Sequence, residues 1–267
     1  ARSMSDRITT SKLEAMKTSG EKFVMVTAYD STFARLISDA GAECILVGDS
    51  LGMVLQGHDT TVPVSLEAMV YHTECVARAR PKSMIVADLP FMTYSSPDVA
   101  LAASMELMQQ GAQMVKLEGG TWLSETIHQL VQRGIPVCAH LGLTPQSVNV
   151  FGGYRVMGRT PKEAKSILAD AVEIQDAGAS ILLLECVPEE LAADISSKLD
   201  IPVIGIGAGA GTDAQVLVLH DLLGLTEKPA KFVENFMEGA DSIQDAIAAF
   251  VRAVKDGSYP KAQHTYQ

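Results

Sequence analysis

Gly41-Ala42-Glu43-Cys44-Ile45-Leu46-Val47-Gly48-Asp49-Ser50-Leu51-Gly52-Met53 reads as one complete transition. A glycine ends a helical pattern, an apolar run of strand length follows, and the run stops on a carboxylate and a hydroxyl flanked by glycines. Glycine suits the left-handed residue that closes a helix, because it has no Cβ to clash. An acid where a strand gives way to a flexible loop adds little to a core, but it presents charge at the mouth of an α/β scaffold. Taken alone, Asp49 reads equally well as a turn or helix-cap residue. Recurrence of the pattern decides between the two.

Gly111-Ala112-Gln113 leads into residues 114–117, Gly134-Ile135-Pro136 into 137–139, and Gly178-Ala179-Ser180 into 181–184. Helix starts are equally legible. Ser96-Pro97-Asp98 and Thr160-Pro161-Lys162-Glu163 each offer a capping hydroxyl, a proline at the first helical position and an acid in the first turn. Apolar runs predict strands at 23–27, 44–47, 84–87, 114–117, 137–139, 181–184 and 203–206, with a weaker one at 216–219. Helical periodicity falls between them, at 31–40, 65–79, 97–110, 122–133, 161–177 and 188–199, and again at 242–255. Eight strands alternating with helices predict an α/β fold, a (β/α)8 TIM barrel in a single domain, with a doubly wound open sheet as the alternative. The barrel is expected over residues 8–267, and residues 1–7 as a disordered or cloning-derived extension. Two βα connections, 50–64 and 141–159, are long for such units and read as binding loops or lids.

The totals agree. A chain of 267 residues suits a closed barrel, which needs roughly 250. A net charge of −11 and a pI near 5.0 argue against nucleic acid or an anionic membrane surface as partner. No apolar run reaches the roughly 18 residues that span a bilayer. Cys44, Cys75, Cys138 and Cys186 lack CxxC spacing and read as reduced, buried thiols of a cytoplasmic protein. Cys186, beside Glu185, has a second reading as a nucleophile, with packing the simpler one.

Polar residues close five of the apolar runs: Asp49, Asp88, Glu118, His140 and Glu185. In a barrel these ends converge on one rim. Lys116 lies two residues before Glu118 and so faces the same side; its structural alternative is a salt bridge inside the barrel. Three acids without ligand cysteines or HxxxH spacing favour a hard, oxygen-ligated cation such as magnesium over zinc. Glu185 sits among leucines, a setting that raises a carboxyl group toward the range of a general base. Metal, lysine and base together point to enolisation of a 2-oxo acid. Gly205-Ile206-Gly207-Ala208-Gly209-Ala210 matches GxGxxA but lacks the helix and ribose-binding acid of a dinucleotide site. Close approach of a ligand at that strand end is the expectation instead. His58, His72 and His128 show no ligand spacing and read as loop or helix-surface residues.

The stretches VGDSLGMVLQGHDTTVPV, ADLPFMTY, MVKLEGG, PVCAHLGLTPQSVNVFGGY, LLLECVP and IPVIGIGAG closely resemble the ketopantoate hydroxymethyltransferase family, from about Ile8 to the carboxyl end. That family belongs with the phosphoenolpyruvate mutase and isocitrate lyase barrels. The resemblance implies transfer of a hydroxymethyl group from 5,10-methylenetetrahydrofolate to 3-methyl-2-oxobutanoate, giving 2-dehydropantoate for pantothenate and coenzyme A synthesis. It implies Asp49, Asp88 and Glu118 around magnesium, and Asp49, Ser50, Asp88 and Lys116 on the oxo acid. Glu185 would be the proton acceptor and His140 a neighbour of the substrate. It also implies a homodecamer. Asp213-Ala214-Gln215 departs from the expected Asp-Gly-Gln. The competing readings are a lyase or mutase acting on another 2-oxo acid, and a barrel that binds without catalysing. The Lys-Lys-Cys-Gly-His loop of isocitrate-lyase-like enzymes is absent from the sequence.

Overall fold

All four glycines assigned to helix ends take the left-handed conformation: Gly41 at φ 95°, Gly111 at 118°, Gly134 at 86° and Gly178 at 114°. Each releases the chain into a strand, and the strands close on themselves. The structure, a computed structural model, describes residues 6–267. The segment expected as a disordered or cloning-derived extension therefore lies outside the described residues except for Asp6 and Arg7.

Helix α1 (Thr10–Ser19) precedes β1 (Phe23–Thr27), which leads through α2 (Ser31–Asp39) to β2 (Cys44–Val47). Helices α3 (Leu51–Val54) and α4 (Leu66–Arg78) connect β2 to β3 (Met84–Asp88), and α5 (Pro97–Gln109) leads on to β4 (Met114–Glu118). Helix α6 (Ser124–Gln132) joins β4 to β5 (Val137–Gly142). A short α7 (Val148–Phe151) and the long α8 (Pro161–Ala177) come before β6 (Ile181–Glu185), and α9 (Glu189–Lys198) before β7 (Val203–Ile206). Strand β8 (Ala214–Leu217) follows without a helix, and α10 (Leu219–Leu222) and α11 (Ile243–Asp256) complete the chain. All pairings are parallel, in the order β1 through β8, with β8 paired back to β1.

Side-chain hydroxyls cap the helices where the sequence placed them. Ser96 accepts from Val99 N–H, and Thr160 from Glu163 N–H. Inside the barrel and beneath the helices, the strands are buried almost without interruption, as expected of parallel sheets covered on both faces. The last helix seals the wall beside β1: Phe250 is fully buried and packs its ring against Phe236 and Tyr259, with centroids 5.3 and 5.7 Å away.

Register sets the site. Asp88 pairs with Lys116, and Glu118 with His140. Side chains alternate along a strand, so these pairs form two successive interior layers at the carboxyl end of the barrel. Both long connections leave that end. They meet where the Tyr154 hydroxyl lies 3.9 Å from Met53 Sδ.

The glycines after β7 are packed closely against the chain's own atoms. A Cβ at Gly207 would fall 2.7 Å from the Phe232 ring, and one at Gly209 2.6 Å from Glu189 Cγ. Ala214 opens β8 fully buried, and extended backbone accommodates its methyl group as readily as glycine.

Candidate active site

Gly48 turns the chain out of β2 with its Cα hydrogen packed tightly, since a Cβ there would lie 2.8 Å from Ser50 Oγ. The turn brings Asp49 N–H to donate to Asp88 Oδ2 at 2.9 Å. Ser50 Oγ sits 2.7 Å from the Tyr29 hydroxyl, which in turn donates to Thr27 Oγ1. The acid and the hydroxyl after β2 are thus held by Asp88, which ends β3, and by Tyr29, two residues past β1.

Lys116 Nζ lies 3.0 Å from Asp88 Oδ1 and 3.0 Å from His140 Nδ1. Burial works against a charge on Lys116, but Asp88, Glu118 and Asp49 outweigh it and raise its pKa. Burial, reinforced by Lys116, drives the pKa of His140 well below its usual value. The imidazole is therefore neutral. With an ammonium donating to Nδ1, the ring proton belongs on Nε2, which lies 3.0 Å from Glu185 Oε2. One imidazole therefore separates the lysine from Glu185.

Burial pushes the Glu185 carboxyl up to about 7 and Glu118 up to about 8, with Lys116 opposing both shifts. Asp49 is held well above the ordinary carboxylate range, by burial first and then by the charges of Asp88 and Glu118. Placement of Glu185 depends on a backbone crossing. Leu143 N–H donates to the Glu185 carbonyl at 2.9 Å. A Cβ on Gly142 would approach that carbonyl oxygen to 2.3 Å, and Gly142 has φ 86°. The next residue, Cys186, takes φ 49°, a region costly for a residue with a side chain. Burial drives its thiol up to about 12, which removes it as a nucleophile near neutral pH.

The side chains of Asp49, Ser50, Asp88, Lys116, Glu118, His140 and Glu185 line one cavity of about 190 Å³, the scale of a small organic acid. All the residues singled out at strand ends are brought together. Glu118 Oε2 accepts from Gln146 N–H at 2.9 Å, while Oε1 lies 3.6 Å from the unprotonated Nδ1 of His140. Among the described residues, no three His, Cys, Asp or Glu side chains are gathered into a closed cation cage as they stand.

Sequence reasoning missed Gln146 and Tyr94. Gln146 Nε2 donates to Asp49 Oδ2 at 2.8 Å and to the Leu89 carbonyl at 3.0 Å, while its Oε1 accepts from the Tyr94 hydroxyl. Both residues stand in stretches that carry the family resemblance, but a neutral residue in a loop gives no charge pattern to follow. Asp221, just past β8, also reaches the cavity and was missed because β8 was placed two residues late. His72 is half-buried, with Nδ1 2.8 Å from the Tyr29 carbonyl; His58 and His128 are exposed.

A family model described as ketopantoate hydroxymethyltransferase matches residues 7–262. The chain is 58% identical over 261 residues to 3-methyl-2-oxobutanoate hydroxymethyltransferase 2 of Pseudomonas aeruginosa, covering 97% of this chain and 98% of that protein. It is 55% identical, with the same coverage, to 3-methyl-2-oxobutanoate hydroxymethyltransferase of Pseudomonas putida. Its barrel resembles phosphonopyruvate hydrolase in complex with oxalate and Mg++, with a TM-score of 0.60 at 12% identity over 96% of this chain and 92% of that one. It also resembles 2,3-dimethylmalate lyase of the PEP mutase/isocitrate lyase superfamily, with a TM-score of 0.59 at 18% identity over 79% and 78%. At such identities the likeness is one of fold.

Proposed function

The chain belongs to the ketopantoate hydroxymethyltransferase family, and we propose that its cavity enolises 3-methyl-2-oxobutanoate and adds a hydroxymethyl group to the third carbon, giving 2-dehydropantoate. One observation carries the reading. A carboxylate held near pKa 7 shares a small buried cavity with a lysine–aspartate pair, one imidazole away.

The residues fit a divalent cation such as magnesium. Asp88 Oδ1 is buried and faces a cation already, the Lys116 ammonium at 3.0 Å, with no further donor on it. Five cavity acids, Asp49, Asp88, Glu118, Glu185 and Asp221, face a single lysine and a neutral histidine. Asp49 and Asp88 would hold the ion, with Glu118, whose Oε2 accepts from Gln146 N–H, behind them. Bound there, the ion supplies Lewis acidity toward the carboxylate and ketone oxygens of a 2-oxo acid.

The chain's own groups divide the remaining work. Glu185 takes the proton from the third carbon, and the electron pair moves onto the ketone oxygen. Lys116 sets positive charge against that developing oxyanion. Ser50, fixed by Tyr29, offers a hydroxyl to the substrate oxygens, and the buried Nε2 of His140, 3.0 Å from Glu185 Oε2, stands beside the base. The one-carbon unit comes from 5,10-methylenetetrahydrofolate. The four unpaired cysteines suit a reducing cytoplasm, and no helix among the described residues is long and apolar enough to cross a membrane. Self-association, as the decamer that the resemblance implies, has exposed Tyr71, Met92, Trp122 and Val150 as apolar surface to bury.

The test follows proton exchange at the third carbon of 3-methyl-2-oxobutanoate by NMR in heavy water, without folate. Exchange that needs both magnesium and Glu185 supports the reading. Absence of exchange, with and without folate, from a folded protein that binds magnesium defeats it.

A further inference from the structure

A second cavity of about 540 Å³ adjoins the catalytic one and shares Ser50, Met53, Val218 and Asp221 with it. Its volume lies within the roughly 300–1,000 Å³ of drug-sized ligand pockets. Two other cavities, around Arg7 and Arg80 and around Gly120 and Asp170, share no lining residue with the catalytic cavity. Direct transfer of carbon between two bound molecules requires that their sites be continuous. The adjoining cavity meets that condition.

Its walls also have a defined chemistry. Met53, Val218 and Leu225 supply apolar surface for a flat ring. Of the carboxylates on the catalytic cavity, Asp221 alone also lines the second, among the described residues. Thr226 donates to Asp221 Oδ1 and orients the group. His220 lines the same cavity, with Nδ1 buried and without a hydrogen-bond partner. No lysine or arginine stands on its walls. Two carboxylates, Asp59 and Asp221, an unpartnered imidazole nitrogen and apolar walls suit a planar heterocycle with adjacent N–H donors and a ring carbonyl. They do not suit an anionic tail.

We propose that this cavity seats the reduced pterin ring of the one-carbon donor, with Asp221 accepting from its amino and ring N–H groups and the glutamate tail left in solvent. The assignment rests on the function proposed above. The transfer balances without redox change. The bridging methylene loses both C–N bonds, and each donor nitrogen gains a proton. The third carbon of the oxo acid loses its proton and gains the C–C bond, and water supplies the hydroxyl oxygen.

The experiment titrates 5-formyltetrahydrofolate and 5-formyltetrahydropteroate, which lacks only the glutamate tail, calorimetrically into the full chain holding magnesium and 3-methyl-2-oxobutanoate. Both are expected to bind wild type with similar affinity. Asp221→Asn should weaken both by about 10- to 100-fold, the scale of a hydrogen bond to a charged group. Leu225 is 66% exposed, so Leu225→Trp can fill the cavity without disturbing the core and should also lower affinity. Wild-type binding by both variants overturns the assignment, as does loss of affinity on removing the tail. Wild type that exchanges the substrate proton yet binds neither probe overturns this assignment alone. Wild type that neither exchanges nor binds overturns the underlying function as well.

Discussion

Glu185 and His140 show how far single residues could be read. The leucines around Glu185 predicted a raised carboxyl, and burial does raise it to about 7. The sequence was silent on the role of His140, because a tautomer is chosen by neighbours that only the barrel brings close. Sign and range of the pH effect follow. Below about 7 Glu185 holds a proton and cannot accept another, so substrate proton exchange should rise with pH and level off above that value. Glu185→Gln should lower exchange by about 10²–10⁴-fold, while magnesium binding, followed by calorimetry, persists. Gln146 was illegible for the opposite reason: its importance lies in four hydrogen bonds that no composition rule announces. Gln146→Leu keeps the backbone bond to Glu118 but strands the Asp49 oxygen and the Tyr94 hydroxyl. Urea denaturation should show a loss of about 1–3 kcal/mol, the cost of unsatisfied buried groups.

Among the elements, glycine-closed helices and apolar strands were legible because backbone constraint and burial are written locally. Strand ends were less so. Asp88, Glu118 and Glu185 are the last residues of their strands rather than the first of the loops, since parallel pairing continues through them. The amino-terminal α1 went unread because it is only weakly amphipathic, with Leu13 and Met16 alone buried. Strand β8 lies two residues earlier than its apolar run suggested, because Gln215 is buried within it and donates to Thr212 Oγ1 and the Gly209 carbonyl. The long β5 connection has a consequence that can be measured. It can cross Glu185 only while Gly142 lacks a side chain. Gly142→Ala must move either the loop or the Glu185 backbone. The variant should stay folded by circular dichroism, yet lose most of the exchange that Glu185 supports. Wild-type exchange from Gly142→Ala would mean that the crossing does not position the base.

At the scale of the whole molecule, the barrel gathers more negative charge at its mouth than its one lysine neutralises, and stability should record this. A carboxyl whose folded pKa lies above its unfolded value binds protons more readily in the folded state. Its contribution is most favourable at low pH and is lost as pH rises through the two values. Asp49 is such a group. At neutral pH and without divalent cations, Asp49→Asn should therefore raise the melting temperature, since the amide removes a buried charge and keeps an acceptor for Gln146. Magnesium should reverse the ranking. An ion that binds only the folded state stabilises it by about 2.7 kcal/mol at a hundredfold excess over its dissociation constant. At about 2–4 °C per kcal/mol for a chain of this size, wild type should gain roughly 5–11 °C. Asp49→Asn, short of one ligand, should gain far less. Scanning calorimetry of both proteins, with magnesium and with chelator, gives four melting temperatures. A wild type that melts above Asp49→Asn in chelator would show that the acids are neutralised from within. In the expected order, function holds the mouth of the barrel in a state the fold alone disfavours.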